Sequence, residues 1–135
     1  MSIVLAVALL LGGSPSAATA APPDNSFTAR VLRGKLVEAG ATGPAYQKQL
    51  WAQLNTPLTK TLERCIASHT PANKAPFTVV LNVGSDGSLS EVEAQPATPV
   101  AACVVTWFAT TTLPVPPTLP NVSSYPLEID VSIVP

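Results

Sequence analysis

Few residues in this chain could do chemistry: two cysteines, Cys65 and Cys103, one histidine, His69, and eight carboxylates. Cys65 and His69 stand four residues apart. On a helix that spacing brings a thiol and an imidazole to one face, the arrangement of a nucleophile and its base. The same thiol has a competing use. An even cysteine count in an oxidising compartment favours a disulfide, and a Cys65–Cys103 bond would consume the nucleophile. Closing that loop is worth roughly 4 kcal/mol in the chain-entropy model. A metal centre is poorly served by one imidazole and no third sulfur. His69 reads more simply as a cation just past a helix end, where the dipole mildly favours it. There is no Gly-x-Ser-x-Gly, no second histidine and no metal-ligand spacing, so hydrolase chemistry has no support. The expectation is a non-catalytic protein with no cofactor and no metal.

The carboxylates offer a second constellation. Glu91 and Glu93 share one face of a strand pattern, and Glu128 and Asp130 share a face of another. If those strands pair, four carboxylates gather on the solvent side. Such a face would suit a basic partner or hold a cation weakly; the plainer reading is a solvated face whose charges discourage edge aggregation. A flat sheet lacks the cleft that a two-carboxylate glycosidase needs. Charge is also uneven along the chain. Asp24 to Lys74 carries seven basic and three acidic residues, whereas Ala75 onward carries five acidic and no basic ones. Neither half is dense enough in one sign to suggest nucleic acid or an anionic membrane surface.

The elements that would position these residues follow an exported N-terminus. Ile3 to Leu11 is apolar, too short for a permanent membrane span of about 20 residues, and fits the h-region of a signal peptide. Ala18-Thr19-Ala20 matches the A-x-A cleavage pattern, so residues 1–20 are expected to be a cleaved leader. No Lys or Arg precedes the run, which departs from the usual pattern. A buried N-terminal helix and a retained anchor are the other readings.

After a polar lead, Asp24, Asn25 or Ser26 could cap a helix over Phe27–Glu38, with Phe27, Val31, Leu32 and Leu36 on one side. Gly34 weakens it, and Gly40-Ala41-Thr42-Gly43 ends it. From Pro44 to Ser68 apolar residues recur at steps of three and four, so this is helical. Thr56 followed by Pro57 is a good start signal. It predicts a helix over Pro57–Ser68 after one ending near Leu54; a single helix kinked at Pro57 is the alternative.

Phe77, Val79, Leu81 and Val83 then alternate with smaller or polar residues, Ser85-Asp86-Gly87-Ser88 is a turn, and Leu89–Ala94 is a second strand. That is a β-hairpin. Thr98-Pro99 repeats the cap-then-proline signal and opens a helix to about Ala109. The prolines of residues 113–120 make an extended connection. Tyr125 to Val134 alternates again, giving a last strand.

The order α-β-β-α-β predicts an α+β fold: a three-stranded antiparallel sheet with helices packed on one face. Cys65 and Cys103 fall on the sheet-facing stripes of the two packing helices, so a bridge between them is geometrically reasonable. Trp51, Trp107, Phe77 and Phe108 are expected in the core. Asn121-Val122-Ser123 is a glycosylation sequon, relevant only to a eukaryotic secretory route.

From about Cys65 onward the chain resembles the C-terminal domain of TonB-family proteins, in the cysteine-containing variant found in gliding-motility and related periplasmic proteins. The matching residues are Cys65, the hairpin FTVVLNVGSDGSLSEVEA, Cys103-Val104-Val105-Thr106-Trp107, the proline run LPVPP and the terminal alternating strand. The resemblance implies a non-catalytic adaptor that adds an extended segment of an outer-membrane partner to its sheet edge. It points to the last strand as that edge, with Tyr125, Leu127, Glu128, Ile129, Asp130 and Val131 as partner-binding residues. The chain departs from an energy transducer in keeping no anchor after cleavage and no long proline-rich linker.

The division implied is a signal peptide at 1–20, an N-terminal lead and helix at 21–43, and a TonB-C-like domain at 44–135. The protein is expected in the periplasm or secreted, with a protein partner in the cell envelope (an outer-membrane receptor or motility complex) and no nucleic acid. The competing reading is a small secreted inhibitor or immunity protein acting through its acidic face.

Overall fold

The computed structural model describes residues 25–133, together with Ile3–Val4 as a two-residue strand, β1. The rest of the expected leader, its cleavage site and Val134 lie outside the described residues. The remaining elements are α1 (Phe27–Ala39), α2 (Gly43–Ala67), β2 (Phe77–Val83), β3 (Leu89–Gln95), α3 (Pro99–Phe108) and β4 (Tyr125–Ile133). The fold is α+β, with α-β-β-α-β order from α2 onward.

Two helix starts obey the capping rule. Ser26 Oγ accepts from the Ala29 amide at 3.1 Å, and Thr98 Oγ1 accepts from the Ala101 amide at 3.1 Å, with Pro99 opening α3. The same Thr-Pro pair at Thr56-Pro57 does not start a helix. Pro57 lies inside a continuous α2, so the expectation of two helices is corrected in favour of one. Leu50, Leu54, Leu58 and Leu62 are all buried at four-residue steps on both sides of the proline. Breaking the helix there would take half of that stripe off the sheet. Pro57 itself is exposed, so the carbonyl it leaves without a donor faces water.

β2 is the central strand, pairing antiparallel with β3 on one side and β4 on the other. Its core face carries Phe77, Val79, Leu81 and Val83, beside Tyr125, Leu127, Ile129 and Val131 of β4, all buried. Helices α2 and α3 cover this face. The two helices are tied by a disulfide between Cys65 and Cys103, with Cα atoms 5.8 Å apart. Phe77 and Phe108 are core residues as expected, whereas Trp51 and Trp107 are only partly buried.

The other face of the sheet is not left to solvent, because α1 crosses it from β3 toward β4. Its apolar side was expected to hold Phe27, Val31, Leu32 and Leu36. Instead the helix turns Ala29, Arg30 and Gly34 to the sheet, leaving Leu32 51 % and Leu36 73 % exposed. Close approach explains the choice. A Cβ on Gly34 would sit 2.7 Å from the Cβ of Glu128 and 3.1 Å from its amide nitrogen, so only glycine lets the helix lie this near β4. The glycine that weakens the helix as a sequence is the contact that docks it.

Candidate functional site: the outer rim of the last strand

Each residue proposed for partner contact lies on β4, and nearly all are inward. Tyr125, Leu127, Ile129 and Val131 are buried on the core face, and Glu128 is buried beneath α1; Asp130 is half-buried beside it. What β4 can offer a partner is therefore its main chain along the outer rim, opposite the side paired with β2.

That rim is bounded at both ends. Beside Tyr125 the Gly40–Gly43 turn carries the chain from α1 on one face to α2 on the other. The Tyr125 hydroxyl lies near Thr42 and Glu38, and its ring meets the Tyr46 ring edge-on with centroids 4.8 Å apart. Burial raises the pKa of both phenols, Tyr46 to about 12. Tyr46 also donates a 2.8 Å hydrogen bond to the Pro114 carbonyl, fixing the proline connection against α2. At the other end β1 runs antiparallel to β4, Ile3 opposite Ile133 and Val4 opposite Ser132. The edge expected to receive a partner is thus not wholly free: the last two positions of β4 are already paired with Ile3 and Val4 of the same chain.

The second rim, β3, is built differently. Its pairing with β2 slips by one residue between Val80↔Glu93 and Asn82↔Ser90, and Glu91 takes a φ of 52° in the resulting bulge. The bulged carbonyl of Glu91 accepts a hydrogen bond from Arg30 Nη2, and Arg30 Nη1 lies 3.3 Å from Glu93 Oε2. Glu91 Oε2 accepts from Asn82 Nδ2 at 2.6 Å. A bulge with charged side chains is a common guard against strand addition.

These pairings also dissolve the expected acidic cluster. β3 and β4 do not pair, since β2 lies between them, and the face they share is covered by α1. Glu128 is 8 % exposed, and its Oε1 has no hydrogen-bond partner. Burial is the main force pushing its pKa up to about 8; a hydrogen bond with Asp130 and the Asp130 charge push the same way, as does Glu38, while Lys35 opposes. Glu38 is raised too, by burial and then by Asp130. Thr78 Oγ1 donates to Asp130 Oδ1 at 2.7 Å, holding that carboxylate against β2. Among the described residues no three Cys, His, Asp or Glu side chains converge as metal ligands.

The conceivable Cys65–His69 pair has no thiol to activate, because Cys65 is in the disulfide. His69 Nδ1 lies 2.8 Å from the Cys65 carbonyl and 3.2 Å from Ser68 Oγ, where the ring caps the last turn of α2. Sequence reasoning missed Arg30 and Gly34, the two residues that seat α1. The available signal was a glycine and a cation at positions where a helix needing only an apolar stripe would use neither.

No family model, curated protein or solved structure matches this chain.

Proposed function

We propose that this protein is a non-catalytic interaction module of the cell envelope, binding an extended segment of a partner by main-chain addition to the outer rim of β4. The observation that supports this reading is the outer rim of β4, where among the described residues no strand pairs with Tyr125–Val131; the pairing of Ile3–Val4 with Ser132 and Ile133 counts against it at the far end. The bulged, charged rim of β3 favours β4 over the other edge. The resemblance to TonB-family C-terminal domains points to the same strand. An exported location, in the periplasm or outside the cell, accords with the disulfide and with the leader read from the sequence.

Selectivity then has a different source from the one expected. Because the β4 side chains are buried, a partner strand would be read by what flanks the rim, namely the last turn of α1, the Gly40–Gly43 turn and the adjoining face of α2. An inhibitor working through an acidic face has less to act with, since Glu128 lies beneath α1 and Glu93 is paired with Arg30.

The test is a displayed library of extended peptides screened against the disulfide-bonded protein, with binders mapped by amide exchange. Protection concentrated in Tyr125–Ile133 supports the proposal. Binders that instead protect α1 or α3, or the absence of any binder alongside tight binding to a toxin, would overturn it.

A further inference from the structure

The disulfide that ties α2 to α3 is asymmetric. Cys65 belongs to the buried stripe of α2 and is 0 % exposed. Cys103 stands one position off the residues that α3 turns to the sheet, Val100, Ala101, Val104 and Phe108, and is partly exposed. Thr106, Trp107 and Thr110 follow Cys103 at steps of three, four and seven, so one face of α3 carries all four. The end of α2 supplies Arg64 and His69. Together these residues line an open groove of about 670 Å³. A reagent entering it from solvent meets one sulfur of the bond and not the other.

The groove also has a sign. No carboxylate lines it. Among the described residues Arg64 has no carboxylate in ion-pair range, the one such pair being Arg30–Glu93. His69 is held in place through its Nδ1, which donates to the Cys65 carbonyl at 2.8 Å because a carbonyl can only accept. Thiol–disulfide exchange is performed by a thiolate, an anion, on the sulfur it can reach. A partly exposed sulfur beside an unpaired guanidinium meets both requirements.

We propose that the Cys65–Cys103 bond is opened in one direction, by a small anionic thiol that enters this groove and attacks Cys103. The incoming thiolate sulfur bonds to Cys103 Sγ, and the Cys65–Cys103 bond breaks. Its electron pair leaves on Cys65 Sγ, which takes a proton from water. The product is a mixed disulfide at Cys103 and a thiol at Cys65. A second thiolate attacking the outer sulfur of the mixed disulfide releases Cys103 and the oxidised dimer of the small thiol, completing a two-electron reduction. Cys103 is thus a reversible modification site whose use unties α3 from α2. It is separate from the rim of β4, because α3 packs on α2 and β3, and β2 lies between β3 and β4.

The test treats the disulfide-bonded protein with reduced glutathione for short times, quenches with acid and locates the adduct by peptide mass spectrometry. The adduct should fall on Cys103 over Cys65 by about tenfold or more, since attack on Cys65 first requires local opening. Arg64→Gln should slow adduct formation by glutathione roughly threefold, the size of an exposed charge contact, and leave the rate with neutral 2-mercaptoethanol unchanged. A variant that merely loosened the fold would speed both thiols. Equal adducts on the two cysteines, or adducts on Cys65, overturn the directional opening. So does a rate independent of thiol concentration, which would place the attack after unfolding. If Arg64→Gln changes both thiols alike or neither, entry of an anionic thiol through the groove is overturned.

Discussion

Glu128→Gln isolates the cost of burying a carboxyl beneath α1. The folded protein holds the Glu128 proton up to about pH 8, against an ordinary value of 4.5 for the unfolded chain. Between those values the unfolded chain releases the proton and the folded chain keeps it. Rising pH therefore favours unfolding across this window, and the loss levels off above pH 8. At about 1.36 kcal/mol per pH unit the ceiling is roughly 5 kcal/mol; partial solvent access and the Lys35 charge reduce it to about 2–4 kcal/mol. Glutamine has the shape of the protonated acid and a donor for Asp130, but no proton to lose. The variant should match the parent near pH 4 and exceed it by about 2–4 kcal/mol at pH 8–9. Urea denaturation from pH 4 to 9 measures this, with the exposed Glu63→Gln as control. Parallel pH profiles for parent and variant, or a variant less stable throughout, would refute the reasoning, because they would mean that the Glu128 carboxylate is ionised and satisfied in the fold.

Three further outcomes follow from named contacts. Gly34→Ala gains helix propensity of up to about 1 kcal/mol, yet the clash with the Glu128 Cβ should make it a net loss of about 1–3 kcal/mol in chemical denaturation. Reducing the Cys65–Cys103 bond, whose cysteines are 38 positions apart, should lower stability by about 4 kcal/mol on the chain-entropy model, read as a drop in urea midpoint with added thiol. The chain has two tyrosines, and burial raises the pKa of both. Their absorbance near 295 nm should stay phenolic past pH 10 in the folded protein and titrate near 10 in urea. Stability should accordingly fall as pH rises from 10 toward 12.

The core half of this fold was legible because its pattern was redundant. Alternation in Phe77–Val83 and Tyr125–Ile133, a turn with glycine at positive φ at Gly87, and cysteines on two apolar stripes all required the same sheet and the same covering helices. Where local and tertiary signals disagreed, the local one lost. Thr56-Pro57 is as good a helix start as Thr98-Pro99, but the leucine stripe running through it decided the matter. The outer face was misread for a related reason. α1 is held by a glycine contact and a guanidinium on a bulged carbonyl, interactions with no periodicity to detect. The bulge that exposes that carbonyl depends on pairing register, which strand patterns alone do not reveal. The self-pairing of Ile3–Val4 joins the two ends of the sequence and left no trace in either.

The central claim is that β4 recruits a partner by adding a strand. It is tested most directly by isotope-filtered NOE measurements between the labelled protein and an unlabelled peptide selected for binding. The account expects cross-strand contacts from the peptide main chain to β4 between Leu127 and Ile133, in antiparallel order. A peptide that binds yet shows its contacts at the exposed Leu32 and Leu36, or around Trp107, would contradict it.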